Sequence, residues 1–179
     1  MMKRLFKISM LTLFVLTLAT QAQAQEDKSK RPSPPAVAEG VIGDATIQIN
    51  YSSPAVKGRK IWGEMEKYGK IWRAGANEAT TIEISSDVKV EGQNLPAGRY
   101  AFFAIPNPDK WTLIFNSEPD QWGAYRYNQE KDALRVDVTP GATKELVERL
   151  KYEVQSTNDN SGVVSLLWEN IKVSFTVSK

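Results

Sequence analysis

The sequence predicts an all-β domain, an antiparallel β-sandwich or jelly-roll-like fold with at most a short helix. Three observations carry this expectation. Apolar and polar residues alternate over short stretches through most of the chain, which gives a strand one apolar face. Clusters of Pro, Gly, Asn and Asp separate these stretches. Helical spacing of apolar residues extends over a turn or two only, at Leu146, Val147 and Leu150 within Thr143 to Lys151. A sheet with one apolar face must bury it, and a second sheet of the same kind is the economical cover.

The strands follow in order. Ile47, Ile49 and Tyr51 alternate with Thr46, Gln48 and Asn50. Ile82 and Ile84 stand against Thr81, Glu83 and Ser85, and Val88 and Val90 form a shorter pair. Leu95-Pro96-Ala97-Gly98 signals a turn into the apolar run Tyr100 to Ile105, and Asn107-Pro108-Asp109 turns the chain into Trp111 to Phe115. Leu134, Val136 and Val138 repeat the alternation, as do Leu150, Tyr152 and Val154. Asn158-Asp159-Asn160-Ser161-Gly162 reads as a hairpin turn leading to Val163 to Trp168. Ile171, Val173, Phe175 and Val177 form the closing strand.

The N-terminus has the order of a secretory signal. Lys3, Arg4 and Lys7 precede the apolar run Ile8 to Ala19, and Ala22-Gln23-Ala24 places small residues for cleavage after Ala24. The run is short for a bilayer, which needs about 20 apolar residues, so residues 1–24 are expected to be removed and the protein to be periplasmic or secreted, without membrane insertion. No cysteine is present, so a lipoprotein anchor and disulfides are excluded. Residues 25–36, QEDKSKRPSPPA, are charged and Pro-rich and are expected to form a flexible linker, leaving residues 37–179 as a single β-sandwich domain. Loss of residues 1–24 takes three basic residues and no acidic one from the 23 and 21 of the whole chain, leaving 20 against 21 and a net charge of −1. That balance gives no electrostatic case for nucleic acid as a partner.

The composition also limits the chemistry. Without histidine or cysteine there is no Ser-His-Asp or Cys-His arrangement and no imidazole or thiolate ligand for zinc. No metal and no cofactor is expected. Ser86-Asp87-Val88-Lys89 has the S-x-x-K spacing of serine–lysine acyl enzymes but lies in predicted turn and strand, where the pair does not meet on one helical face. Asn158, Asp159 and Asn160 offer oxygen ligands, yet an Asx-rich hairpin tip explains them without calcium.

One segment escapes both periods. YSSPAVKGRKIWGEMEKYGKIWRAGANEAT, from Tyr51 to Thr80, holds six basic residues and four glycines among its aromatic rings. Within it Arg73 offers a planar fork of donors, Trp72 a ring face for a sugar or cation, and Asn77 and Glu78 further polar contacts. Arg59 and Trp62 lie nearby in sequence. A second aromatic and basic cluster, Asp120 to Tyr127, contributes Trp122 and Tyr125. The candidate ligand-binding residues are therefore Arg59, Trp62, Trp72, Arg73, Asn77, Glu78, Trp122 and Tyr125. The competing reading makes the same residues a plug for the open end of a sandwich, with Arg73 paired to a buried Glu such as Glu78 and Asn77 capping exposed loop backbone.

Six ordered segments carry a family resemblance: YSSPAVKGRKIWG (residues 51–63), YGKIWRAGANEATTI (68–82), LPAGRYAFFAIP (95–106), WTLIFN (111–116), QWGAYRY (121–127) and LLWENIKVSF (166–175). Together they resemble the domain of unknown function 2911, found in secreted proteins of Bacteroidetes-type bacteria, over nearly the whole chain from about Pro34. The resemblance implies export and one β-rich domain, and it implies no activity or cofactor. Three functions stay open. The first is a non-catalytic binding module for a carbohydrate or cell-envelope ligand. The second is a carboxylate-dependent enzyme, glycosidase- or lyase-like, with Glu78 as acid or base. The third is a purely structural or interaction module.

Overall fold

The computed structural model of the chain describes residues 27–179. The signal expected over residues 1–24 lies outside the described residues. Ten strands follow one another: β1 (Pro35–Ile42), β2 (Ala45–Ser52), β3 (Thr80–Ile84), β4 (Val88–Val90), β5 (Gln93–Leu95), β6 (Gly98–Ile105), β7 (Trp111–Asn116), β8 (Asp132–Val138), β9 (Gly141–Asn158) and β10 (Ser161–Ser178). Two single 3₁₀ turns, Lys28–Lys30 and Gln129–Lys131, are the helical elements among the described residues.

The strands form a six-stranded sheet in the order β1-β2-β3-β6-β7-β8 and a four-stranded sheet in the order β5-β4-β10-β9, antiparallel throughout. Alternation decides which face each strand buries. Ile47 and Ile49 of β2, Ile82 and Ile84 of β3, and Leu134, Val136 and Val138 of β8 enter one core with Val173, Phe175 and Val177 of β10. Phe175 packs against Phe102 and Phe115 of the facing sheet, with ring centroids 5.9 and 5.7 Å apart. The two sheets are thus closed over a shared apolar layer, as the sandwich expectation requires.

The run Tyr100 to Ile105 does not alternate because β6 is covered on both sides. Phe102 and Ala104 face the main core. Ala101 and Phe103, with Ile114 of β7, face the opposite way into a smaller cluster capped by Ile71, Ala124 and Tyr127. The irregular segments around residues 71 and 124 are therefore anchored to the outer face of the large sheet. This anchoring brings the two aromatic clusters of the sequence to one place.

Four differences from the sequence expectation stand out. Thr143 to Lys151 is part of the long strand β9, not a helical turn: Leu150 is buried while Leu146 is exposed. Pairing with β10, in which Tyr152 faces Leu166 and Val147 faces Glu169, satisfies the backbone ladder and overrides a weak helical spacing. The two strands expected at Val163 to Trp168 and Ile171 to Val177 are one strand, β10, whose register shifts on either side of Glu169, a residue at φ 54°. Strand β5 had no sequence signal. Finally, the domain boundary expected at residue 37 falls inside β1, and the preceding residues are docked on the sandwich: Ser53 N donates to Pro34 O at 2.8 Å.

Strand β1 also explains why Gly40 is glycine. A Cβ there would lie 2.7 Å from Val154 Cγ1 and 3.1 Å from Val154 O, so β1 crosses β9 at a distance that no side chain allows.

Candidate functional site

The connection between β2 and β3 is the irregular segment singled out in the sequence, and it divides into a buried half and an exposed half. Trp62 and Trp72 belong to the buried half, exposed by only 6% and 4%. They pack with Trp111 and Trp168, with centroids 4.8 Å apart for Trp62 and Trp111 and 5.9 Å for Trp72 and Trp168. Trp72 is pinned to β6 by paired backbone bonds with Ala104, at 2.8 and 2.9 Å, and its indole N–H donates to Gly75 O at 3.2 Å. The expectation that Trp62 and Trp72 present ring faces to a ligand is corrected here: the segment uses both rings to close the core, because tryptophan is the largest apolar filler available.

Arg59 is also committed locally. Its guanidinium donates to the carbonyls of Val56 at 2.9 Å and of Ala55, so it closes its own turn instead of facing a ligand. Arg73 does not pair with Glu78, the carboxylate offered as an example of its partner in the plug reading. Its Nη1 lies 2.7 Å from where a Cβ of Gly123 would be, and its buried Nε has no partner among the described residues. Gly123 at φ 65° is therefore doubly required, by conformation and by the guanidinium beneath it. Glu66 lies near Arg73 and Arg59; burial raises its carboxyl to about 7 against the attraction of both guanidinium groups.

The exposed half joins the second cluster. Glu78 and Trp122 form an isolated antiparallel bridge, Gly123 N donates to Asn77 O at 3.1 Å and Ala79 N to Gln121 O at 3.0 Å. Asn77 adopts φ 59°, a left-handed conformation that asparagine tolerates. Its side chain donates to Ser33 O at 2.9 Å. Trp122, held in this way, is 51% exposed, and Tyr125 beyond it is 85% exposed.

Glu78 has two cationic partners, both from the segment expected to be a free linker. Lys28 Nζ donates to Oε1 at 2.7 Å, and Arg31 Nη1 donates to both oxygens at 3.1 and 2.9 Å. The Arg31 guanidinium also sits 5.8 Å from the centroid of the Trp122 ring. Burial acts to raise the Glu78 carboxyl, but the hydrogen bonds from Lys28, from its own backbone and from Arg31 outweigh it and hold the group at about 2.

These residues border an open cleft of 480 Å³. Lys28, Tyr51, Glu78, Arg99, Asp120, Trp122 and Arg126 line it, with Asn50, Thr81 and Gln121 among the polar neighbours. Arg99 and Asp120 are paired across it at 2.8 Å. The Gln121 amide donates to Glu118 O at 2.7 Å, and its own oxygen is without a partner among the described residues. Of the eight candidate residues, the cleft takes Glu78 and Trp122 directly. Asn77 and Arg73 support it from behind, and Tyr125 flanks it outside. Lys28, Tyr51 and Arg99 were not anticipated. Arg99 has a legible signal, a charge at the start of the otherwise apolar β6; Lys28 has none.

Among the described residues no group of acidic side chains is placed to hold a metal ion, and no helix is long and apolar enough to cross a membrane. Ser86 Oγ accepts from Lys179 at 2.7 Å, which leaves the S-x-x-K spacing without a catalytic arrangement.

A family model for a protein of unknown function, DUF2911, matches residues 33–177. The chain belongs to the DUF2911 family. No curated protein and no solved structure matches it. The DUF2911 match takes in Tyr51, Glu78, Arg99, Asp120, Trp122 and Arg126, so most of the cleft lies within the family domain, while Lys28 and Arg31 precede it.

Proposed function

We propose that this chain is an exported, non-catalytic binding module of the DUF2911 family, directed to the periplasm or the cell exterior, whose cleft holds a carbohydrate or cell-envelope small molecule. The observation that carries this reading is Trp122, a half-exposed indole fixed by the bridge to Glu78 at the edge of a 480 Å³ cleft with polar walls. A flat apolar face beside paired charges and amide groups suits a sugar ring, which has apolar C–H faces and a polar rim. Export rests on the order of residues 1–24.

The state of Glu78 weighs against the enzyme reading. A general acid at neutral pH needs a raised carboxyl pKa, and Glu78 is held at about 2, against the effect of burial, by hydrogen bonds from Lys28, its own backbone and Arg31. The plug reading keeps its force for Trp62, Trp72 and Arg59, which are spent on the core and its turns, and loses it for Trp122.

The test is a glycan-binding screen by ligand-observed NMR on the parent protein and on Trp122→Ala. Saturation transfer to sugar C–H protons that disappears in the variant supports the reading. Transfer that persists in the variant, or none to any glycan, overturns it. Mass analysis of the exported protein checks the expected cleavage after Ala24.

A further inference from the structure

The charges of the cleft do not cancel. Its two carboxylates are both matched: Glu78 by Lys28 at 2.7 Å, with Arg31 adding a second donor from the wall, and Asp120 by Arg99 at 2.8 Å. Arg126 is the remaining cation of the lining, and it makes no ion pair or side-chain hydrogen bond among the described residues. It stands exposed on the same short segment as Asp120, Gln121 and Trp122. A guanidinium that borders a cleft beside an exposed indole has five donors in a plane and no protein acceptor to take them.

We propose that the cleft selects a saccharide bearing a carboxylate, a sugar acid, with its ring against Trp122 and its carboxylate on the Arg126 guanidinium. This rests on the carbohydrate-binding reading above and narrows it to a charge class. Three features of the site support the assignment. Lys28, Arg99 and Arg126 outnumber Glu78 and Asp120 in the lining, and Arg31 adds a further cation at its wall, so the cleft favours an anionic sugar over a neutral one. A guanidinium fork binds a carboxylate through two parallel hydrogen bonds, which fixes orientation as well as charge. Glu78 and Asp120 repel an anion only weakly because each is already compensated within hydrogen-bonding distance, and Glu118, which shares the adjoining hollow with Arg126, is exposed and screened by solvent.

The roles divide within the site. Arg126 supplies selectivity for the acid, and Trp122 supplies the surface that any pyranose ring needs. Loss of Arg126 therefore removes preference, while loss of Trp122 removes binding.

Calorimetric titration of the whole chain with glucuronic and galacturonic acids and their oligomers, with the neutral glucose and galactose counterparts, and with glucose 6-phosphate tests this directly. The acids are expected to bind about tenfold tighter than the neutral sugars, the increment of one charge-assisted contact, and added salt should weaken the acids alone. Arg126→Gln, at an exposed position, should keep the parent melting temperature and bring the acids down to the neutral level. Trp122→Ala should weaken both classes. Equal binding of acids and neutral sugars overturns the charge selection and leaves the carbohydrate reading intact. Tighter binding of the sugar phosphate overturns the carboxylate assignment, and failure of every sugar to bind overturns both readings.

Discussion

Glu78 and Arg31 meet through both oxygens of the carboxylate, at 3.1 and 2.9 Å, although 47 residues separate them in the chain. The pair ties the segment before β1 to the strand-like end of the β2–β3 connection, and Lys28 repeats the tie one turn earlier at 2.7 Å. Because the depressed Glu78 carboxyl is ionised in the folded state down to about 2, its contribution to stability is present above the ordinary carboxylate range. It is lost as the pH falls from about 4.5 through 2. Glu78→Gln should release residues 28–34 to proteolysis at neutral pH with little change in melting temperature, since paired charges near the surface contribute no more than about 1 kcal/mol. Limited proteolysis with mass mapping reads the outcome; unchanged cleavage would show that the Ser33 and Pro34 contacts suffice alone.

Glu66 is expected to act in the opposite sense. Its carboxyl is raised to about 7 by burial, so the folded state binds a proton that the unfolded chain has given up between about 4.5 and 7, and stability falls as the pH rises through that window. Glu66→Gln keeps the shape and removes the titration. The variant should match the parent near pH 4 and exceed it near pH 8 by on the order of 2 kcal/mol. Denaturant unfolding across this range decides the matter, and parallel curves for the two proteins would refute the assignment.

The tryptophans should separate cleanly by substitution. Trp72→Ala opens a cavity among Trp62, Trp111 and Trp168 and is expected to cost about 3–5 kcal/mol. Trp122→Ala removes a half-exposed ring from the cleft and should stay within about 0.5 kcal/mol of the parent. Urea midpoints measure both. A large loss at Trp122 would return it to the plug reading.

This contrast also marks what was legible in the sequence. Alternation gave β2, β3, β8 and the end of β10, because in each the row that enters the core is apolar and the other row is polar. The sequence could not tell Trp72 from Trp122. Both sit beside small and basic residues in irregular backbone, and their difference arises from which one is bonded to Ala104 of β6. Strand β1 was hidden for a steric reason. Its inward row is Ala38, Gly40 and Ile42, kept small where it crosses β9, while Val37 and Val41 face outward and exposed. The pairing of Glu78 with Lys28 and Arg31, in place of Arg73, depends on how that strand enters the sheet. No local pattern carries such a contact.

Asn77 offers the finest test of the site's backbone. At φ 59° its conformation costs an ordinary L-residue roughly 1 kcal/mol or more, whereas glycine adopts it freely. Its side chain adds one hydrogen bond, to Ser33 O at 2.9 Å. Both Asn77→Gly and Asn77→Ala lose that bond, but only the alanine variant also meets the conformational penalty. The expected order of stability is parent, then glycine, then alanine, with about 1 kcal/mol between the two variants. The carbonyl of residue 77, which accepts from Gly123 N in the parent, is kept by both substitutions. The position of Trp122 should therefore hold in the glycine variant, and its ligand response should match the parent. If alanine proves as stable as glycine, the left-handed turn is not what fixes this corner, and the docking of residues 120–127 must be set by the bridge between Glu78 and Trp122 together with the packing of Ala124 and Tyr127 on the large sheet.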